Sequence, residues 1–365
     1  MGKVEIDHTG SGSGITLSSD GTSLLLDGTA IGGGGGGAAL YIANESSPAN
    51  QPTAAGANAI GIGDTAQAAG ADGVAIGLQS YARAQSALGL FGDAQNTESV
   101  SIGKNSAATA DGAVQLGRNG YATATDAVSL GKSRASGTSS FAAGISNNTS
   151  TYGATGSQSV SIGQFTRATS SGAAAFGAAF ANASGSQSLA IGRNVLAQQQ
   201  ASVALGQQSL SAVAGKFAYS STNFSATGDS QHGMCVLRQS TTDATPKVML
   251  TDIPTASASA TNQIVLPNNS CFGFTGTVIA RENSAQTNDF AVFEIKGGAV
   301  RAGSASTTAL GSYNINKISE STGAANWSIA LSADTTNGAV AITVTGEASH
   351  SIRWVATVNT TEVTY

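Results

Sequence analysis

Three carboxylates in the last third of the chain, Glu282, Asp289 and Glu294, come closest in sequence to the pair that glycosidic cleavage requires. That chemistry needs two carboxyl groups about 5–10 Å apart, one of them kept protonated by its surroundings. Their spacing supplies no such asymmetry, so they are expected on solvent-facing loops or strand edges. Asp64, Asp72, Asp93, Glu98, Asp111 and Asp126 stand earlier without an evident catalytic partner. His8, His232 and His350 are scattered, and no Gly-x-Ser-x-Gly elbow stands in a triad pattern. Cys235 and Cys271 have no histidine at ligand spacing, which argues against zinc. They are expected as two buried free thiols rather than a disulfide. The sequence therefore predicts no catalytic residue, no metal and no cofactor, and a chain that is not an enzyme.

Residue types suited to recognition are also present. Asn and Asp can bind sugar hydroxyls, and an exposed aromatic ring can stack on a pyranose. Such residues gather at predicted loops and turns: Thr287-Asn288-Asp289, Arg301 with Ser304, Tyr313-Asn314, and Gly323-Ala324-Ala325-Asn326. Asn288, Asp289, Arg301, Tyr313, Asn314 and Asn326 are the binding candidates. Trp327 and Trp354 alternate with strand residues and read as core.

What must position these residues is read from a cadence. Ile60-Gly61-Ile62-Gly63, Val74-Ala75-Ile76-Gly77, Ala87-Leu88-Gly89, Val100-Ser101-Ile102-Gly103 and seven further copies ending at Val203-Ala204-Leu205-Gly206 repeat one phrase. The glycine-to-glycine step is 14 residues in most copies. That is too short for a helical pair or a propeller blade and predicts one coil of a β-solenoid. The Val-x-Ile pair places both large residues on one face of a short strand, expected to be the buried face. The closing glycine permits a positive-φ corner. Small residues about five positions on (Ala68, Ala82, Ala94, Ala108, Ala122, Ser136, Ala168, Ala197) predict a second strand, each strand about five residues long. Two large apolar residues per coil bury too little to offset the entropy of ordering it, so association with further copies is expected. The 19-residue step between Gly144 and Gly163 predicts a surface loop near Asn147–Tyr152.

Residues 1–58 form a separate head: two short strands, Ile15-Thr16-Leu17-Ser18 and Ser23–Gly28, then a run of glycines, Gly32–Gly37. The cadence occupies 59–215. Beyond it, 216–365 carries longer alternating strands, an Asn337-Gly338 hairpin turn and no helical period, which predicts an antiparallel β-sandwich. Only 10% of residues are charged and 5% are aromatic, against about 25% charged in average domains. The net charge of −5 speaks against a nucleic-acid partner. The start lacks an apolar signal region, and no apolar run is long enough to span a membrane as a helix, so synthesis in a cytoplasm and no membrane insertion are expected.

The repeats, seen with variations as Gly63 to Gly77 and Gly103 to Gly117, resemble the head repeats of YadA-like trimeric autotransporter adhesins, which also occur in tailed-phage fibre proteins. The resemblance covers about 145 residues and implies a left-handed parallel β-roll wound as a homotrimer. Residues from about 216, with Leu266-Pro267-Asn268-Asn269-Ser270, Phe274–Arg281 and Ile352–Val358, look like a terminal module of tail-fibre and other structural proteins of tailed phages, cyanophages among them. The two resemblances imply a virion fibre, a homotrimeric structural protein. Residues 1–58 would join it to tail or baseplate proteins, and its C-terminal tip would meet a host-surface glycan or protein. A trimeric bacterial surface adhesin and a polysaccharide-cleaving tailspike are the alternatives.

Overall fold

A computed structural model describes the strands Val4–Ile6, Ile15–Ser19, Leu24–Leu26 and Thr29–Ala30, together with residues 50–147, 151–283 and 288–365. The expected glycine-run linker at Gly32–Gly37 lies outside the described residues, as does Thr287. Near the N-terminus the two predicted strands pair antiparallel, with Leu17 opposite Leu26, and are flanked by Val4–Ile6 and Thr29–Ala30.

From Thr53 to Ser220 the chain winds as a β-solenoid of about 12 coils. From Ile60 to Leu116 the first strand of each coil has three residues, shorter than the five predicted; from Val128 on it runs four to eight, while the second strand is mostly two residues long. Each strand pairs in parallel with its equivalent one coil away, as Val100 does with Val114 and Ala94 with Ala108.

The lumen is built mostly from small residues, because two short sheets this close leave little room for large ones. Gln115 is the long exception, buried with its Nε2 donating to the Gly117 carbonyl at 3.1 Å. The central residue of the first strand points inward: Ala75, Ser101, Ser129, Ala142, Ser161, Ala175, Ala190 and Ala204 are all buried. Ala68, Ala82, Ala94, Ala108, Ala122, Ala168 and Ala197 fill it from the second strand. In the coil at 136 the inward residue is Ala135, opposite Ala122, and not Ser136. Lumenal hydroxyls satisfy one another, as in Ser161 Oγ to Thr166 Oγ1 at 2.7 Å.

The large apolar pair therefore faces outward, opposite to expectation. Val74, Ile76, Val100 and Ile102 are half-buried, and Leu116, Ile162 and Ile191 are exposed by 37–39%.

Corner geometry follows the glycines only in part. Gly63 and Gly163 turn at φ of +111° and +126°. A Cβ at Gly163 would also sit 1.8 Å from the Gly177 carbonyl oxygen of the next coil. A second left-handed corner falls just before the first strand and is taken by Asn58, Asp72, Ser86, Glu98, Asp126 and Gln187, mostly residue types whose polar side chains tolerate it.

The phrase Ala87-Leu88-Gly89 is misaligned as a repeat. Leu88 pairs with Val74 and Val100, and Leu90 with Ile76 and Ile102, so Gly89 takes the lumenal place. Phe91 then stands where other coils have the corner glycine. The long step after Gly144 is taken up beyond the strand Phe141–Asn147. Tyr152 folds back with its ring 5.2 Å from that of Phe165, which stacks at 5.2 Å on Phe180.

The last solenoid strand, Phe217–Ser220, turns antiparallel onto Ser230–Thr241, so the outer face of the solenoid sheet runs on into the C-terminal region. There a long sheet orders Ser230–Thr241, Ile352–Thr364, Ser270–Glu282, Phe290–Arg301 and Ala309–Glu320, all antiparallel. A smaller sheet of Lys247–Val248, Ile264–Val265, Ser328–Asp334 and Ala339–Thr345 shares one core with it. Trp327 and Trp354 are buried in that core, as their alternation predicts. Cys235 is buried there too, and burial pushes its thiol up to about 11; Cys271 is exposed, against expectation, and both are free. The two parts are tied by Lys216 Nζ, which reaches both oxygens of the buried Glu362 at 2.6 and 2.7 Å. Gln231 Nε2 and Thr360 Oγ1 also donate to that carboxylate, at 2.7 and 2.5 Å.

Candidate functional site

Tyr219 lies opposite His232, so the strand Ser230–Thr241 starts beside the solenoid and ends away from it. The register Thr241 to Ile352 and Ile352 to Glu282 carries that far end across the long sheet. Residues 283, 288 and 289 and the connections at 321–327 and 346–351 lie there. Near-equal strand lengths bring these loops together, although they are distant in sequence.

Their polar residues interlock. Glu282 is buried, and its Oε2 lies 2.6 Å from Nδ1 of His350. That hydrogen bond raises the imidazole pKa; desolvation opposes it, and the charges of Glu282, Glu347 and Asp289 add to it. The ring packs edge-on to Trp327 at 6.2 Å, and Trp327 lies against Trp354 at 6.1 Å. The buried Trp327 Nε1 has no hydrogen-bond partner among the described residues. Asp289 accepts from Ser321 Oγ at 2.7 Å, and Asn326 Nδ2 donates to Glu347 Oε1 at 3.1 Å. Arg281 holds Asn288 through its carbonyl and its side-chain oxygen at 2.9 and 2.8 Å. The end of the molecule thus presents three carboxylates around one imidazole whose proton is retained to higher pH. Chemically this is a set of acceptors for sugar hydroxyls and a carboxylate-oriented acid–base group.

The sequence-derived candidates divide among three places. Asn288, Asp289 and Asn326 belong to this end. Tyr313 and Asn314 lie along the edge strand Ala309–Glu320, opposite Gly297 and Lys296. There Asn314 borders a shallow concavity of about 420 Å³ on the open face of the long sheet, with Thr275, Glu294, Lys296 and Asn359. Arg301 is at the opposite end, near the solenoid. Its Nη1 donates to the Leu266 carbonyl at 2.5 Å, under the turn at Gly338.

The carboxylate trio is also regrouped. Glu282 is buried rather than solvent-facing, and Glu294 projects from the open sheet face away from it. Glu347 and His350, which sequence reasoning left out, replace it. The available signal was the polar turn Glu347-Ala348-Ser349-His350, placed directly before the last strand. Among the described residues no group of three or more His, Cys, Asp or Glu could hold a metal ion, and no helix is long and apolar enough to cross a membrane.

No protein-family model and no curated protein matches the chain. Among solved structures it is similar to the tailspike protein gp49 of Acinetobacter baumannii bacteriophage Fri1, a capsular polysaccharide depolymerase. That match has 10% identity and a TM-score of 0.23, and covers 76% of this chain and 48% of that one. The tailspike protein of Acinetobacter phage vB_ApiP_P1 matches with 10% identity and a TM-score of 0.21, over 76% of this chain and 56% of that one. The tailspike of Acinetobacter baumannii phage AM24 matches with 10% identity and a TM-score of 0.19, over 75% and 49%. The chain spans about half the length of these structures. The expectation of a non-enzyme is corrected here. The similar structures are tailspikes, one of them a capsular polysaccharide depolymerase, and Glu282, expected at a solvent-facing edge, is buried against His350.

Proposed function

We propose that this chain is the shaft and tip of a bacteriophage attachment protein of the tailspike kind, a homotrimer in the virion that engages a host-surface polysaccharide. The observation that carries the reading is the amphipathic shaft. About 12 coils enclose a lumen of Ala and Ser while their Val, Ile and Leu pairs face outward. Such a rod is completed by copies of itself, and its loop-bearing end is left free to meet a surface. In this reading residues 59–215 are the shaft and 216–365 the recognition module. Residues 1–58 join the rod to tail or baseplate proteins. Asn288, Asp289 and Asn326 contact the receptor. The low and acidic charge supports a glycan rather than a nucleic acid as the partner.

Cleavage of that polysaccharide is a second reading, favoured by the Glu282–His350 pair beside Asp289 and Glu347. One experiment addresses both. The purified chain is added to host cells before the particles, and particle adsorption and newly formed reducing ends are measured. Competition for adsorption is the expected result, and unchanged adsorption at saturating protein would sink the attachment reading. Reducing ends that form with the natural chain and not with His350→Gln would establish cleavage.

A further inference from the structure

The shaft carries one defect in its cadence, and the defect makes a hollow. Between Leu88 and Val100 the coil is two residues shorter than its 14-residue neighbours. The loss falls at the corner: Phe91-Gly92 does the work of Gly77-Leu78-Gln79-Ser80 in the preceding coil. The corner is pulled in while those of the coils on either side stay out. The hollow measures about 480 Å³ and is lined by Leu78, Gln79, Tyr81, Phe91, Gly92, Asp93, Lys104, Asn105 and Ser106.

Its walls differ in chemistry. The Phe91 ring lies across Gly77, where a Cβ would come within 2.4 Å of it, and Phe91 is 56% exposed. Tyr81 is held by the Arg83 guanidinium over its ring at 4.2 Å. Arg83 is fixed in turn by Asp93, with contacts of 2.7 and 3.3 Å, and Gln95 Nε2 donates to the same carboxylate at 2.8 Å. The lining also carries Gln79, Lys104 and Asn105, which are exposed and whose side chains make no hydrogen bond or ion pair among the described residues. An open aromatic face beside one free ammonium and two free amides suits a ring that is apolar on its face, hydroxylated at its edge and negatively charged.

We propose that this hollow is a saccharide site on the shaft, separate from the far end, for a pyranose bearing a carboxylate. The ring lies on Phe91, the carboxylate meets Lys104, and Gln79 and Asn105 take hydroxyls. Tyr81, Arg83 and Asp93 form the fixed wall. The proposal rests on the attachment reading only in expecting the natural ligand to be a polysaccharide.

The test uses the full chain with tetragalacturonate as the acidic probe and maltotetraose as the neutral one, followed by calorimetric titration and saturation-transfer NMR. The natural chain binds the acidic oligomer in preference. Lys104→Gln, an exposed change that leaves the coil intact, weakens it about tenfold, the size of one charge-assisted hydrogen bond. Phe91→Ala weakens both probes. Sedimentation of each variant matches the natural chain. Failure of the natural chain to bind the acidic oligomer overturns the proposal, and so does binding that neither variant alters. A changed oligomeric mass with binding intact overturns it too, because the hollow would then be a contact between copies. Loss of adsorption competition with this titration intact is a failure of the far-end reading alone.

Discussion

His350 is the residue at which the chemistry of the far end becomes measurable. Its pKa is raised first by the hydrogen bond to Glu282. A group whose folded pKa exceeds its unfolded value contributes stability that is complete below the unfolded range and is lost as pH rises through the folded one. The C-terminal region should therefore melt at lower temperature as pH climbs from about 6 to 8, the imidazole range. His350→Gln should flatten that slope and cost no more than about 1 kcal/mol at the acidic end, since the ring is partly open to solvent. Melts at a series of pH values check this, and an equal slope in both proteins would refute it. Glu282 shows why the sequence hid the site. Its burial is set by where a 13-residue strand ends, and its partner lies 68 positions away. Neither fact is written in the residues near it.

At the scale of one coil, the corner glycines differ from glycines that merely occupy a strand. Gly163 has φ of +126° and no room for a methyl group, so Gly163→Ala should cost at least about 2 kcal/mol. Gly273 lies in a strand of the long sheet with nothing within 4 Å of a built Cβ, so Gly273→Ala should be neutral or slightly stabilising. Denaturant melts of the two variants separate the cases, and similar losses in both would contradict the corner argument. The period and the glycine corner were legible because they recur, and recurrence fixes a register. The direction in which each strand faces was not. Val-x-Ile alternation says only that two residues share a side; the width of the lumen decides which side is inside, and it takes mostly Ala and Ser, with Gln115 a long exception. The same limit produced the slip at Gly89. A glycine after Leu88 looks like a corner until pairing shows that Leu90 completes the strand and Phe91 turns.

Across the whole molecule the question is what covers the outward apolar pairs. The solenoid sheet that carries them passes through Phe217–Ser220 into the long sheet, whose open face adds Met234, Val236, Ile279, Val355 and Val363, each exposed by 38–49%. A monomeric rod would leave one apolar band in water along its full length, larger than soluble monomers tolerate. Lumenal packing and the band make separate demands, so they can be separated by substitution. Ile162→Asn with Ile191→Asn changes two outward residues that a single chain leaves more than one-third exposed, and should barely alter its circular dichroism. Sedimentation should nevertheless show the variant shifted toward single chains at concentrations where the natural chain is associated. Ala175→Leu, aimed into the filled lumen, should instead lower the melting temperature and the sheet signal, because overpacking costs about 1–3 kcal/mol. If the double variant sediments as the natural chain does, the outward pairs do not join copies of the chain.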